Sequence, residues 1–549
     1  MPNPAATSQE KVVLREPYQK ILILLGLAAA VALLFIGAPS NGEFDWSDAP
    51  RHALNGVFLK DYFAVGHLQN PTEFAYNYYA QYPALTILFY PPLFYVICAP
   101  FYALFGASQN TALLVVALHY MAFAWGSWYL FRNWLAPWQA AVAALLLIAA
   151  PEVAFWGRQV MLEIPAFAFL VWSAVFFTRY RREARPLYLY LCAALLVLAM
   201  YTKISTAFLG LAFALTLLAE RRGSLLRDRH IWIVAIVAIL SLVPLMLITL
   251  KFGQANVQSV TGVADSIASR KTLAGWLWYL AQFPGQLGWP LAATAAAAAV
   301  LGLIRRNSGG LAKGDLVFWL MWVICGYLFF SAIDLKEARH SIFILPPLIL
   351  AAVLLIRSIS PPWLSHSLLA LLTVSLLVQT LVFRPVYYVK GYADAADYIA
   401  RHAPKKSKVL FSGYRDGSFI FNMRSREDRR DLSVIRADKL LLSVSVRREL
   451  GVSQKDLSEA EINEKINRLG IHYLVVQPGF WDDLEVMKKF EHMLASGKFA
   501  EVARIPTPAN YNAHEKELVI YKNLGEVNDN PAALELGLPI IGRTINTVR

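Results

Sequence analysis

The sequence predicts a polytopic α-helical membrane protein that ends in a soluble α/β domain, and three observations support this. Hydrophobic residues make up 57% of the 549 residues, and they fall in blocks of about 17–25, long enough to cross a hydrocarbon core as helices. The chain carries a net charge of +13. Lys and Arg lie in short clusters between the blocks, as in the loops of membrane proteins, so the charge does not indicate nucleic-acid binding. After Arg384-Pro385 the long apolar blocks cease.

The apolar blocks predict about eleven spans, each close to the length that crosses a bilayer. They lie at 20–38, 111–131, 138–155, 163–179, 187–202, 204–220, 231–250, 287–304, 315–333, 341–357 and 363–383. The block 83–105 is also long enough, but prolines interrupt it. If it crossed, the dense basic clusters would face outward, so we expect it to lie in the outer interface, with a twelfth span as the alternative. We expect a cytoplasmic N-terminus.

The remainder of the chain, 385–549, is expected to be a separate domain after the membrane domain 1–384. Short apolar runs in KVLFSG, HYLVVQP and ELVIYKN predict strands, and the amphipathic stretches Leu457 to Leu469 and Trp481 to Leu494 predict helices. An odd number of spans places this domain on the side of the membrane opposite the cytoplasm. The three cysteines, Cys98, Cys192 and Cys325, lie inside apolar blocks and are interpreted as core residues.

The first candidate site follows the first span, where acidic residues precede a helix. Asp45 and Asp48 stand just before Pro50, from which apolar residues recur at helical spacing, as in a helix that lies in the membrane interface. Asp48 is also well placed to cap that helix. A cap and a catalytic carboxylate can be the same residue.

Further charges lie at the predicted outer ends of the spans, where they are costly unless they are paired or used. Arg158 and Glu163 precede the fourth span, and Glu163 is favoured there by the helix dipole alone. Lys203 separates two apolar blocks and either contacts a phosphate or extends to the surface. Arg339 offers the planar fork that suits phosphate, although pairing with nearby acids is the alternative. His340 is interpreted as a hydrogen-bonded supporting residue.

Four segments in this order resemble the integral-membrane glycosyltransferases of the GT-C fold, of the protein O-mannosyltransferase and lipid A aminoarabinose transferase type. They are FDWSDAPRHALNGVFLKD, FYPPLFYVICAPFYALFG, PEVAFWGRQVMLEIPAFAFL and EARHSIFILPPL. The resemblance implies that Asp48 is the catalytic acid and that Glu163 matches a second catalytic acid. It implies that Arg158, Lys203 and Arg339 hold the donor phosphate. Two departures stand out: Tyr90 replaces a Lys or His before the double proline, and Glu163 replaces an expected Asp.

The same resemblance implies a sugar donor linked to a polyprenyl phosphate, and transfer with inversion to a glycolipid, polysaccharide or protein. It places the enzyme in the bacterial inner membrane with a periplasmic active site. Donor activation by a lipid phosphate requires no nucleotide, in agreement with the absence of a Gly-rich phosphate loop. A divalent metal is conceivable, but no ligand spacing indicates one. Residues 252–272 are either a mobile outer loop that covers the donor or a plain connector. The rival class is a transporter or lipid flippase.

Overall fold

The computed structural model describes residues 4–65, 70–253, 269–305, 310–444, 448, 451–528, 535–538 and 543–546. The predicted loop 252–272 therefore falls largely outside the described residues. The helices of the first part are α1 Pro4–Phe35, α2 Asp48–Val65, α3 Pro71–Gln81, α4 Leu93–Phe105, α5 Gln109–Phe131, α6 Pro137–Ile148, α7 Pro151–Gly157, α8 Glu163–Glu183, α9 Pro186–Thr202, α10 Phe208–Arg221, α11 Arg229–Phe252, α12 Leu273–Leu287, α13 Trp289–Arg305, α14 Lys313–Ser331, α15 Leu345–Arg357 and α16 Pro362–Val378. Short 3-10 segments cover Ile204–Ala207, Arg222–Arg227 and Ala338–Ile344, and a π-turn covers Gln379–Phe383.

Seven helices among the described residues are long and apolar enough to cross a membrane: Pro17–Phe35, Gln109–Phe131, Ile204–Leu225, Arg229–Phe252, Lys313–Ser331, Ala338–Arg357 and Pro362–Phe383. An eighth is added if α6 and α7, bent by 66°, form one broken span. The class of polytopic helical membrane protein is confirmed, while the count is lower than the eleven spans predicted.

The difference in span count has a physical reason in each case. Proline 151 starts a new helix inside the predicted span 138–155. Helices α9 and α13 have 17 residues each, or about 26 Å at the usual rise, which is at the short limit for crossing. Helix α8 has 21 residues but begins with Glu163 and ends in an arginine-rich turn. Helix α4 has only 13 residues, about 20 Å, in agreement with the prediction that 83–105 does not cross.

The chain divides into two compact units that each combine distant segments. Unit 1 comprises Met1–Ala38, Val116–Leu245 and Ser266–Val386, and unit 2 comprises Pro39–Val115, Met246–Asp265 and Tyr387–Arg549. The first predicted outer loop therefore belongs to the same unit as the C-terminal residues. The division of the sequence at residue 384 into two domains stays a prediction.

Unit 1 is a helical bundle around one extended apolar core. The helices α8 and α9 pack against each other, as do α10 and α14. Phe177 and Phe213 stack within this core with ring centroids 4.0 Å apart. Cys192 and Cys325 are buried in the same core, as expected of small apolar side chains.

Unit 2 contains the predicted α/β fold. Its further elements are α17 Tyr392–His402, β1 Lys408–Ser412, α18 Asp416–Arg424, a 3-10 turn Glu427–Arg429, β2 Ser433–Arg436, α19 Ala437–Leu441, β3 Leu442–Val444, β4 Val452–Gln454, α20 Glu459–Arg468, β5 Ile471–Val476, α21 Glu485–Leu494, β6 Phe499–Pro506, β7 Glu517–Asn523, β8 Glu535–Leu538 and β9 Arg543–Asn546. Five strands form a sheet in the order β2-β1-β5-β7-β6. The first three are parallel, and β7 and β6 run antiparallel to their neighbours. The three quoted strand motifs and both amphipathic helices are confirmed.

Helix α2 departs from the expected interfacial helix with one exposed polar face. Its apolar residues Leu54, Val57 and Phe58 are buried, but Asn55 and Asp61 are buried as well. Asn55 donates to Thr86 Oγ1 at 3.2 Å and accepts from the Thr86 backbone N–H at 2.9 Å. The polar face is therefore covered by polar partners from the same unit, which local periodicity does not reveal.

Candidate functional site

Three predicted site residues meet in unit 1: Glu163, Lys203 and Arg339. Lys203 Nζ donates to Glu163 Oε1 at 2.6 Å, and Arg339 Nε lies 3.7 Å from the same oxygen. Glu163 is the first residue of α8, Lys203 directly follows α9, and Arg339 belongs to the 3-10 segment before α15. The ends of three separate helical segments thus deliver one buried carboxylate and two cations to one place.

The surroundings of Arg339 add Glu337, one of the nearby acids that the sequence offers as its alternative partner, and Trp156, which sequence reasoning did not place in the site. Arg339 Nε is 2.5 Å from Glu337 Oε2, and its guanidinium lies 4.9 Å from the ring centroid of Trp156. Stacking on an indole face stabilises a guanidinium and restricts its plane. The half-buried His340 follows in the same segment, and its backbone N–H donates to the Glu337 carbonyl at 3.0 Å.

A second ion pair continues this cluster. Trp156 Nε1 donates to Glu152 Oε1 at 2.6 Å, and the other oxygen of Glu152 accepts from Arg384 Nη2. Glu152 is buried, so the pairing neutralises a carboxylate that would otherwise be costly. The indole of Trp156 therefore connects the Glu152–Arg384 pair to Arg339. The sequence signal for this pair was the position of its charges near the ends of spans, but the sequence did not indicate that Glu152 and Arg384 bind each other.

Arg158 is the least neutralised cation of the cluster. It directly follows α7 and is only 1% exposed. Its Nε donates to the Ala154 carbonyl at 2.9 Å and its Nη2 donates to the Arg384 carbonyl at 3.0 Å. Within the described part of the chain, no carboxylate lies within ion-pair distance of this guanidinium. Burial and the neighbouring charge of Arg384 lower the pKa of Arg158.

Asp48 lies in unit 2, where it opens α2. Trp46 Nε1 donates to Asp48 Oδ2 at 3.3 Å. One helical turn later, His52 Nδ1 lies 2.8 Å from the hydroxyl of Tyr95, and the His52 ring packs edge-on against Tyr90 with centroids 4.7 Å apart. Tyr90, the residue before the double proline, thus contacts the helix that carries Asp48.

Asp45, three residues before Asp48, is held by two partners from the C-terminal part of unit 2. Its Oδ1 lies 3.1 Å from Arg415 Nη2 and accepts a hydrogen bond from the Tyr511 hydroxyl at 2.7 Å. Sequence reasoning missed Arg415 and Tyr511. The available signal was the pair Arg415-Asp416 shortly after the strand motif KVLFSG, because polar residues at the carboxyl end of a central parallel strand are often functional.

No metal site emerges from the side chains that the structure describes. Among them, no group of three or more His, Cys, Asp or Glu residues is arranged to hold an ion. Glu163, the most central acid of the unit 1 cluster, has cations as neighbours. Its surroundings in the described chain therefore suit an anionic ligand better than a cation.

Comparison of the sequence with protein families gives a match. The model of the family described as dolichyl-phosphate-mannose-protein mannosyltransferase matches residues 90–248, less than a third of the chain. This range contains Arg158, Glu163 and Lys203. No curated protein sequence matches significantly.

Solved structures match over nearly the whole chain. ArnT from Cupriavidus metallidurans bound to undecaprenyl phosphate has a TM-score of 0.60 at 16% identity, over 93% of this chain and 99% of that one. The same protein in its apo state gives 0.59 at the same identity and coverage. The Archaeoglobus fulgidus oligosaccharyltransferase gives 0.54 at 13% identity, over 84% and 70% of the two chains. The solved structures give the fold and the family match gives the class of enzyme: the chain is a membrane protein with the GT-C fold, and the predicted class, a GT-C glycosyltransferase, is confirmed.

Proposed function

We propose that the protein transfers a sugar from a polyprenyl-phosphate donor to a glycolipid, polysaccharide or protein acceptor at the outer face of a bacterial inner membrane. The fold and the family match support transfer from a lipid-linked donor. One of the similar structures, ArnT, was solved with undecaprenyl phosphate bound. The bacterial inner membrane is taken from the resemblance to the lipid A aminoarabinose transferase type, and the outer face is taken from the predicted topology.

The observation that carries the proposal is the buried guanidinium of Arg158. A buried charge without a counter-ion is unfavourable, and an arginine fork is well suited to phosphate oxygens. Its hydrogen bonds to described residues use Nε and Nη2. These bonds leave Nη1 for an anionic group of the donor. We therefore assign Arg158 the principal contact to the donor phosphate.

Lys203 and Arg339 support the same assignment, because they bring further positive charge to the cluster of unit 1. Both are already paired with acids, and Glu163 contacts each of them. We propose that Glu163 acts mainly by holding these two cations in place for the phosphate. A role for Glu163 at the reacting atoms, and a supporting role for His340, stay predictions.

Asp48 is the proposed catalytic carboxylate. In the reaction, the bond between the anomeric carbon and the phosphate oxygen breaks, and the anomeric carbon bonds to the acceptor oxygen. The acceptor proton passes to Asp48, and the lipid phosphate leaves with the electron pair, its charge stabilised by the basic side chains. Direct displacement without a covalent intermediate gives inversion. Helix α2 presents Asp48 at its first residue, where a charged carboxylate is also favoured by the helix dipole.

The decisive experiment measures sugar transfer from a labelled polyprenyl-phosphate donor in proteoliposomes. Asp48→Asn should abolish transfer, while Asp394→Asn, an exposed acid in the first turn of α17, should not. Retained transfer by the Asp48 variant would remove the proposed base. If the protein is a transporter or flippase, neither the wild-type protein nor the two variants will transfer sugar.

A binding experiment tests the phosphate assignment separately from catalysis. Undecaprenyl phosphate is titrated into the purified protein and into Arg158→Gln, with tryptophan fluorescence as the signal. Loss of a charge-assisted contact worth about 1.5–3 kcal/mol should weaken binding by roughly 10–150-fold. Arg504→Gln, an exposed arginine on β6, is the control and should bind normally. Unchanged affinity of the Arg158 variant would place the phosphate elsewhere. Mass spectrometry of envelope lipids and glycans from cells with and without the protein would then identify sugar and acceptor.

A further inference from the structure

The turn that carries Asp48 is held on both sides by two consecutive residues of the C-terminal part of unit 2. Asp45, three residues before Asp48, contacts Arg415. Arg51, three residues after Asp48, contacts Asp416. The two anchoring points thus bracket the proposed catalytic carboxylate symmetrically along the chain.

The first anchor joins Asp45 to Arg415 through several bonds. Arg415 Nη2 lies 3.1 Å from Asp45 Oδ1, and Arg415 Nη1 also donates to the Asp45 backbone carbonyl. The hydroxyl of Tyr511 donates a hydrogen bond to Asp45 Oδ1 at 2.7 Å and accepts one from Arg415 Nη2. Arg415 is itself oriented by an ion pair with the buried Glu515. Since both the side chain and the backbone of Asp45 are bound, this anchor fixes the path of the chain and not only one rotamer.

The second anchor joins Arg51 to Asp416. Arg51 Nη2 donates to both oxygens of Asp416 at 2.9 Å, and Arg51 Nη1 donates to the Ser47 carbonyl at 2.6 Å. Arg436 Nη1 lies 2.8 Å from Oδ2 of the same carboxylate. Burial opposes ionisation of Asp416, but the charges of Arg436 and Arg51 lower its pKa below the usual value. The Asp416 carboxylate is therefore charged near neutral pH. In this state it binds Arg51, which in turn donates to the Ser47 carbonyl of the turn.

Arg415 and Asp416 lie at the carboxyl end of a central strand of the sheet. They follow β1, whose neighbours in the sheet are β2 and β5, and Asp416 opens α18. The chain leaves β1 towards β2 and later returns to β5 on the other side of β1, so the carboxyl end of β1 lies at a switch of strand order. In open α/β sheets this edge is the usual ligand-binding position. Here it contacts the turn 45–51 of the same unit.

A glycine permits this close approach. A Cβ added at Gly417 would lie 3.0 Å from Arg51 Nη1 and 3.1 Å from Pro50 Cγ. Both distances are tighter than ordinary van der Waals contact. A larger residue than Gly417 would therefore collide with the start of α2.

We propose that Arg415 and Asp416 are positioning residues for Asp48, and that the C-terminal sheet serves catalysis by fixing the turn 45–51. The proposal rests on the proposed function in one respect, the role of Asp48 as catalytic carboxylate. Neither Arg415 nor Asp416 is assigned a contact to donor or acceptor. Displacing a catalytic group by about 1 Å can cost about 100-fold in rate, so loss of an anchor should lower kcat and leave the KM for the donor unchanged.

The test compares Arg415→Gln and Asp416→Asn with the wild-type protein by transfer kinetics and by amide hydrogen exchange. We expect kcat to fall about 10–100-fold at unchanged donor KM, together with faster exchange of residues 43–52. Tyr511→Phe, a milder variant that removes one hydrogen bond to Asp45, should lower kcat by about 2–10-fold. Arg504→Ala removes two exposed ion pairs on β6 and should change neither quantity.

Asp48→Asn, measured in parallel, separates the two proposals. If Asp48→Asn is inactive while Arg415→Gln, Asp416→Asn and Tyr511→Phe keep wild-type kcat, the positioning role is overturned and the proposed function stands. If Asp48→Asn retains transfer, the proposed function is overturned. Exchange of 43–52 that stays at the wild-type rate in both anchor variants would overturn the anchoring itself, whatever the activity.

Discussion

Replacing Arg424 by methionine should destabilise unit 2 more than any substitution of an exposed arginine. Arg424 on α18 is 0% exposed and Asp61 on α2 is 1% exposed. Arg424 Nε donates to Asp61 Oδ2 at 3.0 Å, and the Tyr78 hydroxyl donates to the same oxygen at 3.1 Å. The methionine fills much of the same volume but removes the principal counter-charge of a buried carboxylate.

The magnitude follows from the charges that remain. Removing one partner of a buried ion pair costs about 3–5 kcal/mol, because the other charge stays buried without compensation. Lys60 and Arg430 lie 3.6 Å and 3.5 Å from Asp61 and soften the loss. We therefore expect a loss at the low end, about 3 kcal/mol. Changing both partners, Asp61→Leu with Arg424→Met, should restore most of it, since replacing a buried pair by apolar residues is often neutral.

Thermal unfolding of the detergent-solubilised protein measures both effects. A loss of about 3 kcal/mol corresponds to a decrease in Tm of about 6–12 °C for a unit of this size. Arg504→Met on the exposed edge strand is the control and should unfold like the wild-type protein. A decrease below about 2 °C for Arg424→Met, or a double variant that is no more stable than Arg424→Met, would refute the reasoning.

Two further outcomes follow from single side chains. The lowered pKa of Asp416 means that its ion pairs stabilise the fold at neutral pH and lose this contribution as the pH falls below about 4, the value of a free aspartate, and through the folded-state pKa. The difference in Tm between wild type and Asp416→Asn should therefore be constant near pH 7 and shrink in acid. Gly157→Ala would place a Cβ 2.7 Å from the ring of Tyr120, so it should cost about 1–3 kcal/mol in thermal unfolding, whereas Gly26→Ala, with open space around it, should be tolerated. Equal stability of the two alanine variants would contradict the close packing of Gly157 against Tyr120.

Local patterns were sufficient for the class of protein and for many of its elements. The apolar blocks predicted the helical membrane class, and the short runs predicted β1, β5 and β7 where they occur. The span count was too high because hydropathy alone does not show where a helix begins, ends or breaks, as at Pro151 and in the 17-residue helices α9 and α13. For Lys203 the sequence leaves a phosphate contact and extension to the surface as alternatives, and it does not predict the hydrogen bond to Glu163 that the structure shows.

No local sequence pattern predicts the ion pairs that join α2 to α18 and to Asp416. Asp61 and Arg424 are 363 residues apart in the chain, and Arg51 and Asp416 are 365 apart. Asp61 lies off the apolar stripe of α2, and helical periodicity reports which side a residue occupies but not what covers that side. That Asp61 is buried and paired with Arg424 can be recognised only from the three-dimensional structure, because the fold brings the two residues together.

The buried charges on α2 also bear on why Asp48 belongs to a unit with a sheet. A helix in the membrane interface is held mainly by its apolar face, which permits sliding and rotation. Helix α2 is instead bound through Arg51 near its start and through Asp61 near its end, each by charge-assisted bonds to α18 or to the residues beside it. Two such points on one helix fix both its position along its axis and its rotation. The backbone that carries Asp48 at the start of this helix is thereby held in place, as the proposed role of Asp48 in accepting a proton requires.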